Sequence, residues 1–144
     1  MTKTSPDGRT FPRDRMPAIR RVMVPQDTNA MGTIFGGTIL SEIDLAASIA
    51  AHRVHHGTVV TVAMDSVEFK QPVFVGDLLS LFGIIEKIGR SSIDIHIEVW
   101  AERRLAGGEI CLVTEADVTM VAVDDESHPT PVSNPEFQAE SRLG

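Results

Sequence analysis

Two adjacent glycines, Gly36 and Gly37, stand ahead of a long apolar segment whose first half is interrupted by Glu42 and Asp44. Glycines at a helix start leave backbone N–H groups bare, and these can stabilise a carbonyl oxygen as it becomes negative. A carboxylate one or two turns further on is placed to activate water or to attack an acyl carbon. At about one hundred degrees per residue the two acids point about two hundred degrees apart, so they cannot share one environment. Asp44 faces Ser41, Ala47, Ser48 and Gly37, a small and weakly polar surface that leaves room beside a carboxylate. Glu42 falls close to the positive end of the helix dipole, where an acid stabilises the helix. Asp44 is therefore read as chemical and Glu42 as structural. The plainer alternatives are a turn needing positive φ at Gly36 and Gly37, and a hydrogen-bonded core acid at Asp44.

Other reactive residue types carry weaker signals. Residues 32–38 superficially suggest a phosphate loop, but the lysine is absent and the spacing is one residue short. His52, His55 and His56 include an i, i+4 pair, yet no acid or cysteine stands nearby in sequence to complete a metal site, and a polar helix end accounts for them better. No metal is expected. Cys111 lies in an alternating strand with no evident base beside it and reads as filler. Ser41 and Ser48 lack the glycine-flanked elbow of a serine hydrolase. Gly89, Arg90, Ser91 and Ser92 form a tight turn that also combines a guanidinium, hydroxyls and free N–H groups able to grip a phosphate.

These residues need elements to hold them. Ile39, Ile43, Ala46, Ala47, Ala50 and Val54 recur at helical spacing and predict one helix over about residues 38–55, apolar on almost every side, as an enclosed helix is. Gly57 supplies the stop. A short strand is expected at 19–24, ended by Pro25, and four longer ones at 59–70, 78–88, 92–103 and 109–123. In the third of these four, Ile93, Ile95, Ile97 and Val99 alternate with Asp94, His96, Glu98 and Trp100, which predicts one dry and one wet face. Short turns between strands imply antiparallel neighbours, and a single sheet curled around the helix satisfies both patterns. The fold class is α+β, one long central helix wrapped by a curved antiparallel sheet. One helix cannot cover all of such a sheet, so self-association edge to edge is expected. Residues 1–17 read as a flexible arm, 18–123 as the domain and 124–144 as an acidic, Pro-containing tail.

The 144 residues make one domain, and 42% hydrophobic with 23% charged residues is ordinary for a globular protein. A formal net charge of -7 without a basic run argues against nucleic acid. One cysteine excludes an internal disulfide and suits a reducing compartment. With no signal-peptide core and no eighteen-residue apolar run, cytoplasm is expected and a membrane is not.

Asn29-Ala30-Met31-Gly32, Ile34-Phe35-Gly36-Gly37, Asp44, Val59-Val60-Thr61-Val62-Ala63, Pro72-Val73, Val75-Gly76-Asp77 and Ile97-Glu98-Val99-Trp100 closely resemble the hotdog-fold acyl-CoA thioesterases. The nearest group is the small bacterial YciA-type enzymes, which are similar to the brain-type acyl-CoA hydrolases of animals. The resemblance covers about residues 18–132. It implies hydrolysis of acyl-CoA to free acid and CoA, with no cofactor, with Asp44 as general base or nucleophile and Asn29 positioning water or substrate. The Gly36 and Gly37 amides would form the oxyanion hole, and Thr61 would line the site. By analogy and local chemistry, Gly89, Arg90, Ser91 and Ser92 would contact CoA, with Lys70 and Arg103 as helpers. The family's site lies at a dimer interface, so Asn29 and Asp44 of one site are expected from different subunits, and hexamers built as trimers of dimers are common. A catalytically silent acyl-CoA sensor on the same fold is the alternative function, and it would lack a competent acid on the helix.

Overall fold

The glycine pair opens a helix that the sheet then wraps. In the computed structural model, which describes residues 4–105 and 107–142, α1 spans Gly36–Ala51 and lies against a five-stranded sheet made of β1 (Ile19–Val22), β2 (Thr58–Phe69), β3 (Leu78–Ile88), β4 (Ser92–Glu102) and β5 (Ile110–Val123). The strand order is β1-β3-β4-β5-β2, antiparallel throughout, so β1 and β2 are the two edges. This is the curled sheet around one helix that alternation and short turns require.

The helix starts and stops earlier than its periodicity predicts. Gly36 and Gly37 belong to its first turn, and residues 52–54 form a turn rather than a continuation. The physical reason lies in partners distant in sequence. Arg53 donates to the Gly83 carbonyl at 2.7 Å, and buried His55 accepts the Ser133 N–H at 3.2 Å, which pulls the chain out of helical register.

Ile39, Ile43, Ala46, Ala47 and Ala50 pack onto Leu81, Ile95, Ile97 and Val118 of the concave face. Contact is close because small residues meet: a Cβ at Gly83 would stand 2.6 Å from that of Ala50. The helix is not enclosed on every side, however. Leu45 (53% exposed) and Ile49 (40%) remain open, and so do Val60 (40%) and Val62 (56%) of β2. The open apolar residues thus lie both on α1 and on the β2 edge.

The wet face expected on β4 is dry. Trp100, Glu98 and His96 are 0%, 1% and 3% exposed; the segment read as a loose arm lies over the first two, and His96 is enclosed with Glu115 and Asp117. Phe11 meets Phe82 and Trp100 edge-on with ring centroids 5.5 and 5.7 Å away. Arg9 pairs with Glu98 at 3.0 Å and Glu115 at 2.8 Å. Phe11→Ala should therefore destabilise the fold by about 2 kcal/mol, seen as a lower urea midpoint at unchanged m value. The tail is also tied down. Val132 is buried, and Arg142 bonds Asp117 at 2.9 Å as well as Glu86.

Burial alone would raise the Glu115 pKa, but hydrogen bonds from Arg9, His96 and Lys70 outweigh it and hold that carboxyl below its ordinary range. A carboxylate depressed on folding stabilises above its unfolded pKa and stops doing so as pH falls through the folded one. Stability should thus decline below about pH 4.3. Glu115→Gln should shrink that decline in urea melts between neutral and acid pH; an unchanged acid limb would refute the assignment.

Candidate active site

Asp44 sits on the exposed side of α1, and Thr61 of β2 donates its hydroxyl to Asp44 Oδ1 at 2.5 Å. Both side chains are exposed in the single chain. The other carboxylate oxygen, Oδ2, has no partner among the described residues, so the group is oriented by one bond and free to act through the second oxygen. Glu42, by contrast, is spent on structure: Arg21 bonds it at 2.8 Å and Asp27 at 2.8 Å, tying α1 to β1 and to the turn Pro25–Asp27. The two acids divide as their helix angles require.

The loop before α1 is held by Asn29. Its carbonyl oxygen accepts the N–H groups of Met31 at 2.8 Å and Thr33 at 3.3 Å, and its amide donates to Thr33 Oγ1 at 2.9 Å. Such side-chain turns fix loop backbones. Ile34 N–H then bonds the Val73 carbonyl at 2.8 Å and Phe35 N–H that of Asp27 at 2.8 Å, which fixes the direction in which the helix begins. The amides of Gly36 and Gly37 have no acceptor among the described residues, as first-turn amides do. The space over them is limited by aromatic rings: a Cβ on Gly37 would stand 2.3 Å from the Phe35 ring, and one on Gly36 would lie 3.4 Å from that of Phe69. Beside them opens a cleft of ≈ 330 Å³ with Ile34, Ile39, Phe69 and Val73 as apolar walls and Lys70 at its edge.

The Asp44 carboxylate and the Gly36 and Gly37 amides thus stand apart in one chain. Asp44 and Gly36 are eight residues apart, about 12 Å along the helix axis. That is too far for a single carbonyl group to meet both. Gly36 neighbours Phe69, near one end of β2, whereas Asp44 neighbours Thr61 near the other.

The cation positions are also distributed. At the turn between β3 and β4, Gly89 N–H bonds the Ser92 carbonyl at 2.8 Å, and the carbonyls of Ser91 and Arg90 accept from Ala122 at 2.8 Å and Val132 at 2.9 Å. The Arg90 side chain is exposed. Lys70 lies toward the opposite end of the sheet, 3.1 Å from Glu68 and 3.3 Å from Glu115. Glu68, first among the causes, and Glu115 hold the Lys70 pKa above its ordinary value. Arg103 is buried, bonded to Asp77 and to the Pro72 carbonyl at 2.8 Å, and stacked 5.0 Å from the Phe74 ring. Its fork serves the fold.

His52 and His56 are exposed, while His55 points inward to Ser133. The histidine with acids around it is His96, whose ring nitrogens lie 2.8 Å from Asp117 and 2.9 Å from Glu115. The same acids also bond Arg9, Lys70 and Arg142. Sequence reasoning missed this cluster, although Trp100 on a supposedly wet face signalled a cover. Phe35 and Phe69, as walls around the glycine amides, were missed as well. Cys111 is buried, and burial pushes its thiol pKa up, away from nucleophile behaviour.

A model of the thioesterase superfamily matches residues 31–108. A relative in Haemophilus influenzae, named an uncharacterized acyl-CoA thioester hydrolase, is 46% identical over 109 residues, or 74% of this chain and 71% of its own. A solved hexameric hotdog-fold thioesterase of Campylobacter jejuni is 41% identical with a TM-score of 0.79, covering 84% of this chain and 92% of that one. A solved hexameric broad-specificity acyl-coenzyme A thioesterase superposes with a TM-score of 0.83 at 39% identity, covering 92% of this chain and 90% of that one.

Proposed function

The chain belongs to the thioesterase superfamily and has the hotdog fold, and on that premise we propose that it hydrolyses acyl-CoA to a free carboxylic acid and CoA. The observation that carries the reading is the exposed Asp44 carboxylate, oriented by Thr61 and left with one free oxygen. The amides of Gly36 and Gly37 receive the thioester oxygen as it becomes negative. Asp44 takes a proton from water as the water attacks the acyl carbon; the C–S bond then breaks and the thiolate leaves. In the second route the Asp44 carboxylate attacks directly, an acyl anhydride forms with loss of the thiolate, and water hydrolyses it. Neither route draws on a metal or redox cofactor. Asn29 shapes the glycine loop and keeps one amide hydrogen to aim at water or substrate.

The site is completed by a second copy. Asp65 lies midway between Thr61 and Phe69. A two-fold axis near it, with the free β2 edges paired antiparallel, brings the Gly36 end of one protomer to the Asp44 end of the other. It also covers the exposed Leu45 of α1. The dimer is then the minimum active unit, and three such dimers make the hexamer that solved relatives form. The same symmetry carries Lys70 toward the partner's Gly89–Ser92 turn, where Arg90, Ser91 and Ser92 contact CoA phosphates and Gly89, its N–H taken by the Ser92 carbonyl, shapes the turn. Arg103 is not assigned to CoA, because Asp77 and the Pro72 carbonyl occupy it.

The test is release of free CoA from a series of acyl-CoAs of increasing chain length. Turnover on at least part of the series supports the hydrolase; binding without turnover at any length overturns it and favours the silent sensor.

A further inference from the structure

A second cleft, of ≈ 440 Å³, opens between residues 14–18, the C-terminal half of α1 and β3, on the side of the helix away from Thr61. It is formed where β3 outruns its neighbour. β1 pairs with β3 up to Leu81, and beyond that point the β3 edge has no strand partner. Arg53 covers the Gly83 carbonyl at 2.7 Å, while Glu140 exchanges two bonds with Ile85: its N–H to the Ile85 carbonyl at 2.6 Å, and the Ile85 N–H to its Oε1 at 3.0 Å. The Glu140 carboxylate also receives Arg53 Nη1 at 3.0 Å and Arg15 Nη2 at 2.7 Å. Three donors from three separate parts of the chain thus converge on one carboxylate. The walls beside it are apolar, from Met16, Pro17, Ala18 and Ile49.

We propose that this cleft binds the carboxylate of a free acyl chain, with Arg15, Arg53 and the Ile85 amide as its donors, and that Glu140 is a tethered stand-in for that carboxylate. Charge selects the ligand class. Asp14 stands at the cleft with the two arginines and Glu140, so the four side chains sum to zero. With Glu140 swung out they sum to one positive charge, which suits a monoanion and disfavours the phosphates of CoA. The apolar walls then take the hydrocarbon chain. That such a ligand arises as this protein's own product rests on the hydrolase reading; recognition by the cleft does not. Because a tethered group competes at millimolar effective concentration, wild type binds weakly. Product accumulation would displace the tail and expose the β3 edge.

The experiment is calorimetric titration of the full chain with octanoate, with octanol and inorganic phosphate as controls. Glu140→Gln should bind octanoate at least about tenfold more tightly than wild type. Adding Arg53→Gln should abolish the gain, and neither control should show it. In wild type, octanoate but not octanol should speed tryptic cleavage after Arg142, which the tail holds against Glu86 and Asp117; this arm decides alone if Glu140→Gln does not fold. No gain in Glu140→Gln overturns the proposal, and so does a gain that survives Arg53→Gln, since the ligand would then lie elsewhere. Failure of CoA release with an Arg53-dependent gain intact would sink the hydrolase and leave this site standing.

Discussion

Asp44→Ala is expected to lower kcat for acyl-CoA hydrolysis by about 10²–10⁴-fold while leaving KM within a few-fold of wild type. The reason is positional. Asp44 is exposed and adds nothing to the packed core, so its loss leaves the fold intact, whereas the proposed reaction has no second group at that place to accept the proton. Thr61→Val should be milder, about tenfold in kcat, because it frees the carboxylate to rotate without removing it. Turnover in Asp44→Ala equal to wild type would exclude this residue from the chemistry. The two routes separate in a single turnover in isotopically labelled water. Label entering the Asp44 carboxylate requires the anhydride and excludes the pure general-base route, in which the oxygen of water enters only the released acid.

The elements were legible where local pattern and tertiary environment agree. β3 spans Leu78–Ile88, as the sequence predicts, because a strand buried on both sides needs little beyond β-branched and apolar residues. The C-terminal end of α1 was not legible, because it is set by His55 meeting Ser133, a partner 78 residues away. The same holds on β4: alternation distinguishes two faces but cannot tell water from a covering segment, and residues 4–17 supply the cover. For the site, helix angle separated Asp44 from Glu42, since direction is local. Whether a cation serves a ligand or the fold is not local. Arg103 and Arg90 read alike as residue types, yet Asp77 claims the first and the second stands exposed.

Mixing two inactive variants should restore activity. If each site takes its amides from one protomer and its carboxylate from the other, Asp44→Ala and Gly37→Val damage opposite halves. Valine at position 37 would force the Phe35 ring, 2.3 Å from the added Cβ, across the helix start and its amides. Each homodimer then carries the same defect in both sites and is silent. A heterodimer collects both defects in one site and leaves the other whole. Random exchange makes half the dimers mixed, each with one of two sites intact, so recovery should approach about a quarter of wild-type turnover per protomer. A site contained within one chain predicts no recovery, since every protomer would keep its own defect. The separation of about 12 Å between Gly36 and Asp44 along α1 favours recovery. The measurement is CoA release from variants mixed, partly unfolded in urea and refolded together, set against each variant taken through the same cycle alone.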